Sequence, residues 1–147
     1  MTPEQLFSIA NGVAALAWIL LAVLPRQRWV IEIVTTKAVP AFFAILYVGI
    51  VGSTFFSTDG GFSTLSGVSQ LFSHPWVLLA GWIHYLAFDL LTGSWEVRDA
   101  QARGISHWLV VPCLFFTFMF GPAGWLLYMI VRSVQGSASR STRAAAA

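Results

Sequence analysis

Charge is what this chain has least of. Eight Lys and Arg and six Asp and Glu stand among 147 residues, 10% in all, where a soluble domain carries roughly a quarter. With 57% hydrophobic residues and a mean hydropathy of +0.75, that scarcity excludes a soluble globular domain and leaves a membrane protein. A spanning backbone must satisfy its own hydrogen bonds, which admits only helices or a closed barrel, and a helix needs about 20 apolar residues to cross a core about 30 Å thick. The alternation of barrel strands is missing, because the apolar runs are long and unbroken. Cysteine is nearly absent too. The single Cys113 lies inside an apolar run, which rules out an intrachain disulfide and a cysteine-based metal motif and suits a small buried hydrophobe. No basic segment precedes the first apolar run; Arg26 and Arg28 follow it, so it reads as a retained membrane helix and not a secretory signal. There is no Gly-rich phosphate loop, no dinucleotide fingerprint, no Ser/His/Asp arrangement that can be placed and no nucleic-acid signal. The net charge of +2 is therefore informative only through the positions of its arginines, as topology markers.

What is there is helix. The pattern predicts an all-α integral membrane protein, a single domain over residues 1–133 made of four transmembrane helices in a bundle, with spans near 3–24, 38–57, 75–91 and 106–131. Thr2 can cap the first span, Pro3 suits its first turn and Pro25 closes it. The stretch WVIEIVTTK before the second span reads as an interfacial segment bent at Pro40. After STDGG, the residues Phe62, Leu65, Val68, Leu71 and Phe72 recur at helical spacing in a piece too short to span, which predicts a surface helix. A second short helix, TGSWEVRDAQARG, is expected between spans three and four, capped by Ser94 and ended by Gly104. In span four Pro112 and Pro122 free the carbonyls of Trp108 and Phe118, which need other partners. Residues 134–147 are low-complexity and read as a disordered tail. Arg26, Arg28, Lys37, Arg98 and Arg103 flank the first and third connections, which places both in the cytoplasm, while Arg132, Arg140 and Arg143 pull the other way. With no transit segment, the expected location is a bacterial inner membrane.

The ionisable groups gather in GWIHYLAFDLLTGSWEVRDAQARGISH, residues 81–107, which holds five of the charged residues and two of the three histidines. His84 falls near mid-membrane, with Ala80, Gly81 and Ala87 around it. That small-residue stripe predicts that it faces the bundle as an acid or base, with Asn11 its partner across the membrane. Asp89 lies where a helix C-terminus disfavours a carboxylate, so Arg98 or Arg103 is the expected partner. It shares a helix face with Trp82 and Tyr85, which together with Thr117 are candidates for contacts to a ligand or to neighbouring helices. Glu96, Asp99 and Arg103 share a face of the short helix, Asp99 and Arg103 as an i, i+4 ion pair, and His107 is expected at the level of Asp89. His84, Asp89, His107, Glu96 and Asp99 are the catalytic candidates. No HxxxH or HExxH spacing joins them, so no metal site is assigned, and nothing names a cofactor.

The run HYLAFDLLTGSWEVRDAQARGISH followed by VVPCLFFTFMFGPAGWLLY resembles the neoxanthin-synthase-like family, the plant abscisic-acid-deficiency-four proteins and their bacterial relatives. The resemblance covers residues 75–131. It implies a four-helix membrane protein of carotenoid metabolism that isomerises the epoxide end of a xanthophyll to an allene, with no net redox change. That chemistry needs an acid for the epoxide oxygen and a base for a proton on the neighbouring chain carbon, held in a water-poor slot; His84 with Asp89 can form such a pair. Seven Trp, three Tyr and 12 Phe can line a site for a hydrophobic isoprenoid or carotenoid, reached laterally between spans three and four. The expected partners are the lipid bilayer and that ligand, in an oligomer or larger membrane complex, with no nucleic acid. Two other classes fit the composition: a non-catalytic pigment-binding or accessory subunit of a membrane complex, and a haem or metal redox protein using His84 and His107.

Overall fold

The computed structural model describes residues 1–54 and 57–145, with side chains as far as 135. Residues 55 and 56 of the second predicted span and 146 and 147 of the predicted tail lie outside the described residues. Among the described residues there is helix and no strand. Helix α1 (Pro3–Val23) opens with a capping box: Gln5 N donates to Thr2 Oγ1 at 3.3 Å, and Thr2 N donates to Gln5 Oε1 at 3.0 Å, so two otherwise orphaned amides are satisfied at once. Ala10, Ala14, Ala17 and Leu21, at i, i+4, i+7 and i+11, form its buried face.

The stretch expected to be an interfacial segment is instead a π-helix, Val30–Ala38, which runs straight into α2 (Val39–Thr54). Together they make a candidate span of 25 residues. The wider register accommodates the missing amide of Pro40. The amide of Val39 pairs with the carbonyl of Val34, five residues back, and the carbonyl of Thr35, whose partner in that register would be the missing N–H of Pro40, accepts from Ser94 Oγ at 3.3 Å.

Helix α3 (Leu65–Phe72) lies where the apolar spacing predicts it, capped by Thr64, whose Oγ1 accepts from Gly67 N at 3.0 Å. It rests on α4 through Phe72, whose ring occupies the place of a side chain at Gly81. Helix α4 (Pro75–Ala102) is the axis of the fold, 28 residues and about 42 Å long, and it contacts every other helix. The separate charged helix expected after span three does not exist: those residues are the last turns of α4. Nothing between Leu91 and Ala102 breaks a helix except Gly93, and Gly93 serves close packing, since a Cβ there would meet the Trp18 indole. Gly104, at φ +68°, ends the rod, because that conformation suits a residue without a Cβ.

The fourth predicted span is two helices, α5 (His107–Phe120) and α6 (Pro122–Ala145). Gly121, at φ +48°, reverses the chain between them, and Gly124 packs so closely on Thr117 that a Cβ would overlap the Thr117 backbone. At 14 residues, α5 is about 21 Å long, short of a full crossing. The pair is a helical hairpin against α4. Thr117 meets Glu96 on the way up, Gly121 meets Asp89 at the tip, and Tyr128 meets Asp99 on the way back. Backbone helix continues through Ala145, over a stretch whose composition predicts disorder but whose Ala and Arg residues are good helix formers. Among the described residues there are thus three helices long and apolar enough to span, Pro3–Val23, Val30–Thr54 and Pro75–Ala102, plus the hairpin, in place of four equal spans. Leu16, Ile19, Ile45, Val48 and Phe88 are among the large apolar side chains left exposed around them, the outward apolar surface that a spanning helix presents to lipid.

Candidate functional site

Two cores share α4. One joins α1, α2 and α4 through Ala10, Ala14, Phe43, Leu79 and Ile83; the other joins α1, α4 and the hairpin through Trp18, Leu21, Leu90, Val97, Leu114 and Tyr128. The first is almost wholly apolar. Polar side chains concentrate in the second, along the face of α4 turned to the hairpin.

Three of them converge on the last turn of α5. The Tyr85 hydroxyl donates to the Phe118 carbonyl at 3.2 Å. That is one of the carbonyls a proline leaves unpaired, the missing amide being that of Pro122, so the partner the sequence demanded is supplied by α4. Asp89, four residues on, lies beside Tyr85 with its carboxyl against Gly121: a Cβ built on that glycine would stand 2.9 Å from Oδ1 and 3.2 Å from Oδ2. Among the described residues no cation pairs with it. Arg98 is exposed on the far side of the helix and Arg103 is engaged with Asp99, so the expected clamp to either arginine is absent. The residue it meets instead, Gly121, leads into α6, and a helix N-terminus presents partial positive charge to a carboxylate. Asp89 Oδ2 is nevertheless buried without a hydrogen-bond partner.

Glu96 completes the group. Expected on a solvated face, it is fully buried, 0% exposed, because α4 runs on as one rod and the returning hairpin covers it. Its Oε1 accepts from Thr117 Oγ1 at 2.9 Å, while Oε2 has no partner. Trp18 of α1 lies over Gly93, between Asp89 and Glu96 along α4, with its ring 5.5 Å from that of Phe118; its Nε1–H is buried and unpartnered as well. Below them Asp99 gathers the cations. Its Oδ2 pairs with Arg103 Nε at 2.8 Å, as the i, i+4 spacing predicts, and with Arg132 Nε at 3.0 Å, and it accepts from the Tyr128 hydroxyl at 2.7 Å.

The histidines stand apart from this cluster. His84 does not face the bundle: it is exposed, flanked by Tyr47 of α2 at 5.8 Å and by Phe88 at 4.6 Å between ring centroids. The buried line of α4 runs Leu79, Ile83, Leu86, Leu90, which turns the next residue outward. The small residues that pointed to His84 have other uses, Ala80 in the core and Gly81 under Phe72. Asn11 accepts from Trp82 Nε1 at 2.9 Å and so partners Trp82 rather than His84. His107 is not level with Asp89 either. Its Nε2 lies 2.7 Å from the Ala22 carbonyl at the opposite end of α4, in a cleft of about 940 Å³ bounded by Pro25, Gln101 and Ser106. Among the described residues no three His, Cys, Asp or Glu side chains are grouped as a metal ion would require, and the two histidines proposed for haem are separated by most of the length of α4.

A groove of about 360 Å³ runs between the first turns of α1 and α4, lined by Pro3, Phe7, Leu78, Leu79 and Trp82 with Glu4 and Ser8 at its rim. Phe7 and Trp82 stand 5.6 Å apart, Trp82 and Tyr85 5.3 Å. The aromatic line Phe7, Trp82, Tyr85 thus leads from the groove to Asp89. Sequence reasoning had Tyr85, Asp89, Glu96, Asp99 and Thr117 among its candidates. It missed Trp18, Tyr128 and Arg132; the Gly121–Pro122 pair was the signal that would have brought them in, read as a reversal and not as an interruption.

Fold and site define a class: an all-helical chain of membrane character whose buried carboxyls face a helical hairpin. The chain belongs to the ABA DEFICIENT 4-like family, whose model matches residues 5–128. No curated protein and no solved structure matches it.

Proposed function

We propose that this chain is a membrane enzyme acting on a carotenoid or related isoprenoid by a non-redox isomerisation of the epoxide-to-allene type. Family membership supports the substrate class. The groove between α1 and α4 offers an apolar ligand an aromatic surface that ends at Tyr85 and Asp89, the place where acid and base would be needed. The observation that carries the reading is the Asp89 carboxyl: buried polar atoms are nearly always partnered, and here Oδ2 has no partner where the aromatic line ends. In the reaction Tyr85 and Asp89 exchange one proton. Tyr85 gives it to the epoxide oxygen as the C–O bond breaks, the Asp89 carboxylate takes one from the neighbouring chain carbon, and the new Asp89 proton passes to Tyr85, which leaves atoms and charge balanced. General acid–base groups of this kind contribute about 10²–10⁴ in rate. In a host accumulating epoxycarotenoids, the wild-type chain therefore changes the pigment chromatogram and Asp89→Asn abolishes the change; an unaltered product pattern with Asp89→Asn would overturn the assignment.

His84 favours a second reading as an accessory or pigment-binding subunit. An imidazole turned toward hydrocarbon is costly unless another protein surface covers it, so a neighbouring chain seated on the α2 and α4 face fits. Copurification of a partner, with normal pigment chemistry in Asp89→Asn, would select that reading.

A further inference from the structure

The end of α1 leaves carbonyls without partners of their own, because the last turn of any helix does so and Pro25 brings no N–H. Two other helices supply donors. Gln101 Nε2 of α4 donates to the Pro25 carbonyl, and His107 Nε2, at the start of α5, donates to that of Ala22 at 2.7 Å. These bonds fix the ends of α1, α4 and α5 as the walls of the cleft of about 940 Å³, within the range of small-molecule sites, about 300–1,000 Å³.

The floor of the cleft is apolar: Val97, Ala100 and Ile105 are at most 9% exposed. Its rim is polar and carries one sign of charge. Arg26 lines it, and among the described residues no Asp or Glu does. Arg28 is tied to Glu32, and Arg103 and Arg132 to Asp99, but among the described residues no ion pair or hydrogen bond engages Arg26. Across from α1, Ser106 is the N-cap of α5 and its hydroxyl makes no cap bond, which leaves that hydroxyl and the first amides of a 14-residue helix to an anion. Trp108 lines the same cleft and is 81% exposed; an exposed Trp at the end of an apolar helix stands at the headgroup level of a bilayer. Beyond it Leu109, Phe115 and Phe116 are exposed along α5, an apolar surface suited to acyl chains.

We infer that this cleft binds the headgroup of an anionic phospholipid. The phosphate takes the Arg26 guanidinium, whose planar fork suits it, together with the Ser106 hydroxyl and the first amides of α5, and the chains run outward past Trp108. The lining decides the class of lipid. An ammonium headgroup would find no carboxylate there, whereas the hydroxyls of a glycerol headgroup find the Gln27 and Gln101 side chains. His107 positions the start of α5 through its bond to Ala22 and need not touch the lipid. The site uses neither Asp89 nor the groove at the other end of α4, so it stands or falls apart from the enzymatic reading.

Native mass spectrometry of the full chain in detergent, titrated with phosphatidylglycerol or phosphatidylcholine and then with inorganic phosphate as competitor, tests the site. One phosphatidylglycerol should bind per chain about tenfold or more tightly than phosphatidylcholine, and phosphate should displace it only in large excess. Arg26→Gln, which removes no contact within the fold, should weaken phosphatidylglycerol binding about tenfold or more, and Ser106→Ala should weaken it as well. Arg98→Gln takes the same charge from the neighbouring groove that Arg98 lines with Arg28 and Glu32, and should leave binding within about twofold of wild type. Equal losses in Arg26→Gln and Arg98→Gln would reduce the effect to a general attraction of cations for anionic lipid and overturn the site, as would equal binding of the two lipids. Displacement by phosphate at the concentration of the lipid would reassign the cleft to a soluble phosphate and overturn the lipid.

Discussion

At the scale of single residues, the second core depends on small side chains that let helices touch and on hydroxyls that satisfy groups no helix can. Gly124 is the tightest such contact. Gly124→Val drives side-chain atoms into the Thr117 backbone, and we expect a cost of roughly 1–3 kcal/mol from overpacking, read as a lower unfolding midpoint in detergent. Thr117→Val is nearly isosteric and leaves Glu96 with neither oxygen bonded. The expected loss is about 1–3 kcal/mol, and Glu96→Gln in the same background recovers little of it, since the amide also lacks a partner. Tyr85→Phe removes the hydroxyl that donates to the Phe118 carbonyl. It should destabilise by a similar amount, about 1–3 kcal/mol, and also reduce any pigment conversion, whereas Thr117→Val acts on stability first. The reading of Tyr85 as a donor to a freed carbonyl was within reach of the sequence, because the proline rule names the carbonyl. The reading of His84 was not, because three small neighbours within two turns do not reveal which of them a partner helix uses.

At the scale of elements, α1, the first half of α4 and the small α3 were legible from caps, prolines and apolar runs. The errors fall where a helix changes character without a composition signal. The π-helical turn ahead of Pro40 leaves the apolar pattern intact and alters only which carbonyl is left over; Ser94, 59 residues away, absorbs the difference. Ser94→Ala, which unpairs a buried carbonyl, is therefore expected to cost more than Thr92→Ala at a partly exposed neighbour, and unfolding midpoints of the two variants check this. The charged window misled in the opposite sense. Its polar residues read as a cytoplasmic connection because charges are normally solvated, yet α4 carries them on as part of the rod and the hairpin folds back over one side. A hairpin is hard to distinguish from a kinked span in sequence. Both show an apolar run interrupted by Gly–Pro, and the reversal is decided by whether the polar face of α4 needs covering.

At the scale of the whole molecule, the hairpin removes a conflict in the charge pattern. A fourth span would carry Arg132 to the side opposite Arg26, Arg28, Arg98 and Arg103. Folded back, α6 brings Arg132 to Asp99, at the same end as Pro25 and Gln101, which are themselves hydrogen-bonded. All these cations then lie on one side, as the positive-inside rule prefers. We propose that this side is cytoplasmic, with the N-terminus opposite. In a Cys113→Ala background, single cysteines at Gln27, Gly104 and Gln135 should react with an impermeant thiol reagent from one face only, and one at Ser63 from the other; labelling of Gln135 from the Ser63 face would restore a full fourth span. In the proposed reaction proton chemistry belongs to Asp89, at the foot of the groove, and not to the outward His84. Pigment chromatograms from a host accumulating epoxycarotenoids, comparing His84→Ala with Asp89→Asn at matched protein levels, test it most directly. Wild-type product is expected with His84→Ala and a loss of about a hundredfold or more with Asp89→Asn; the reverse pattern would overturn the assignment of Asp89.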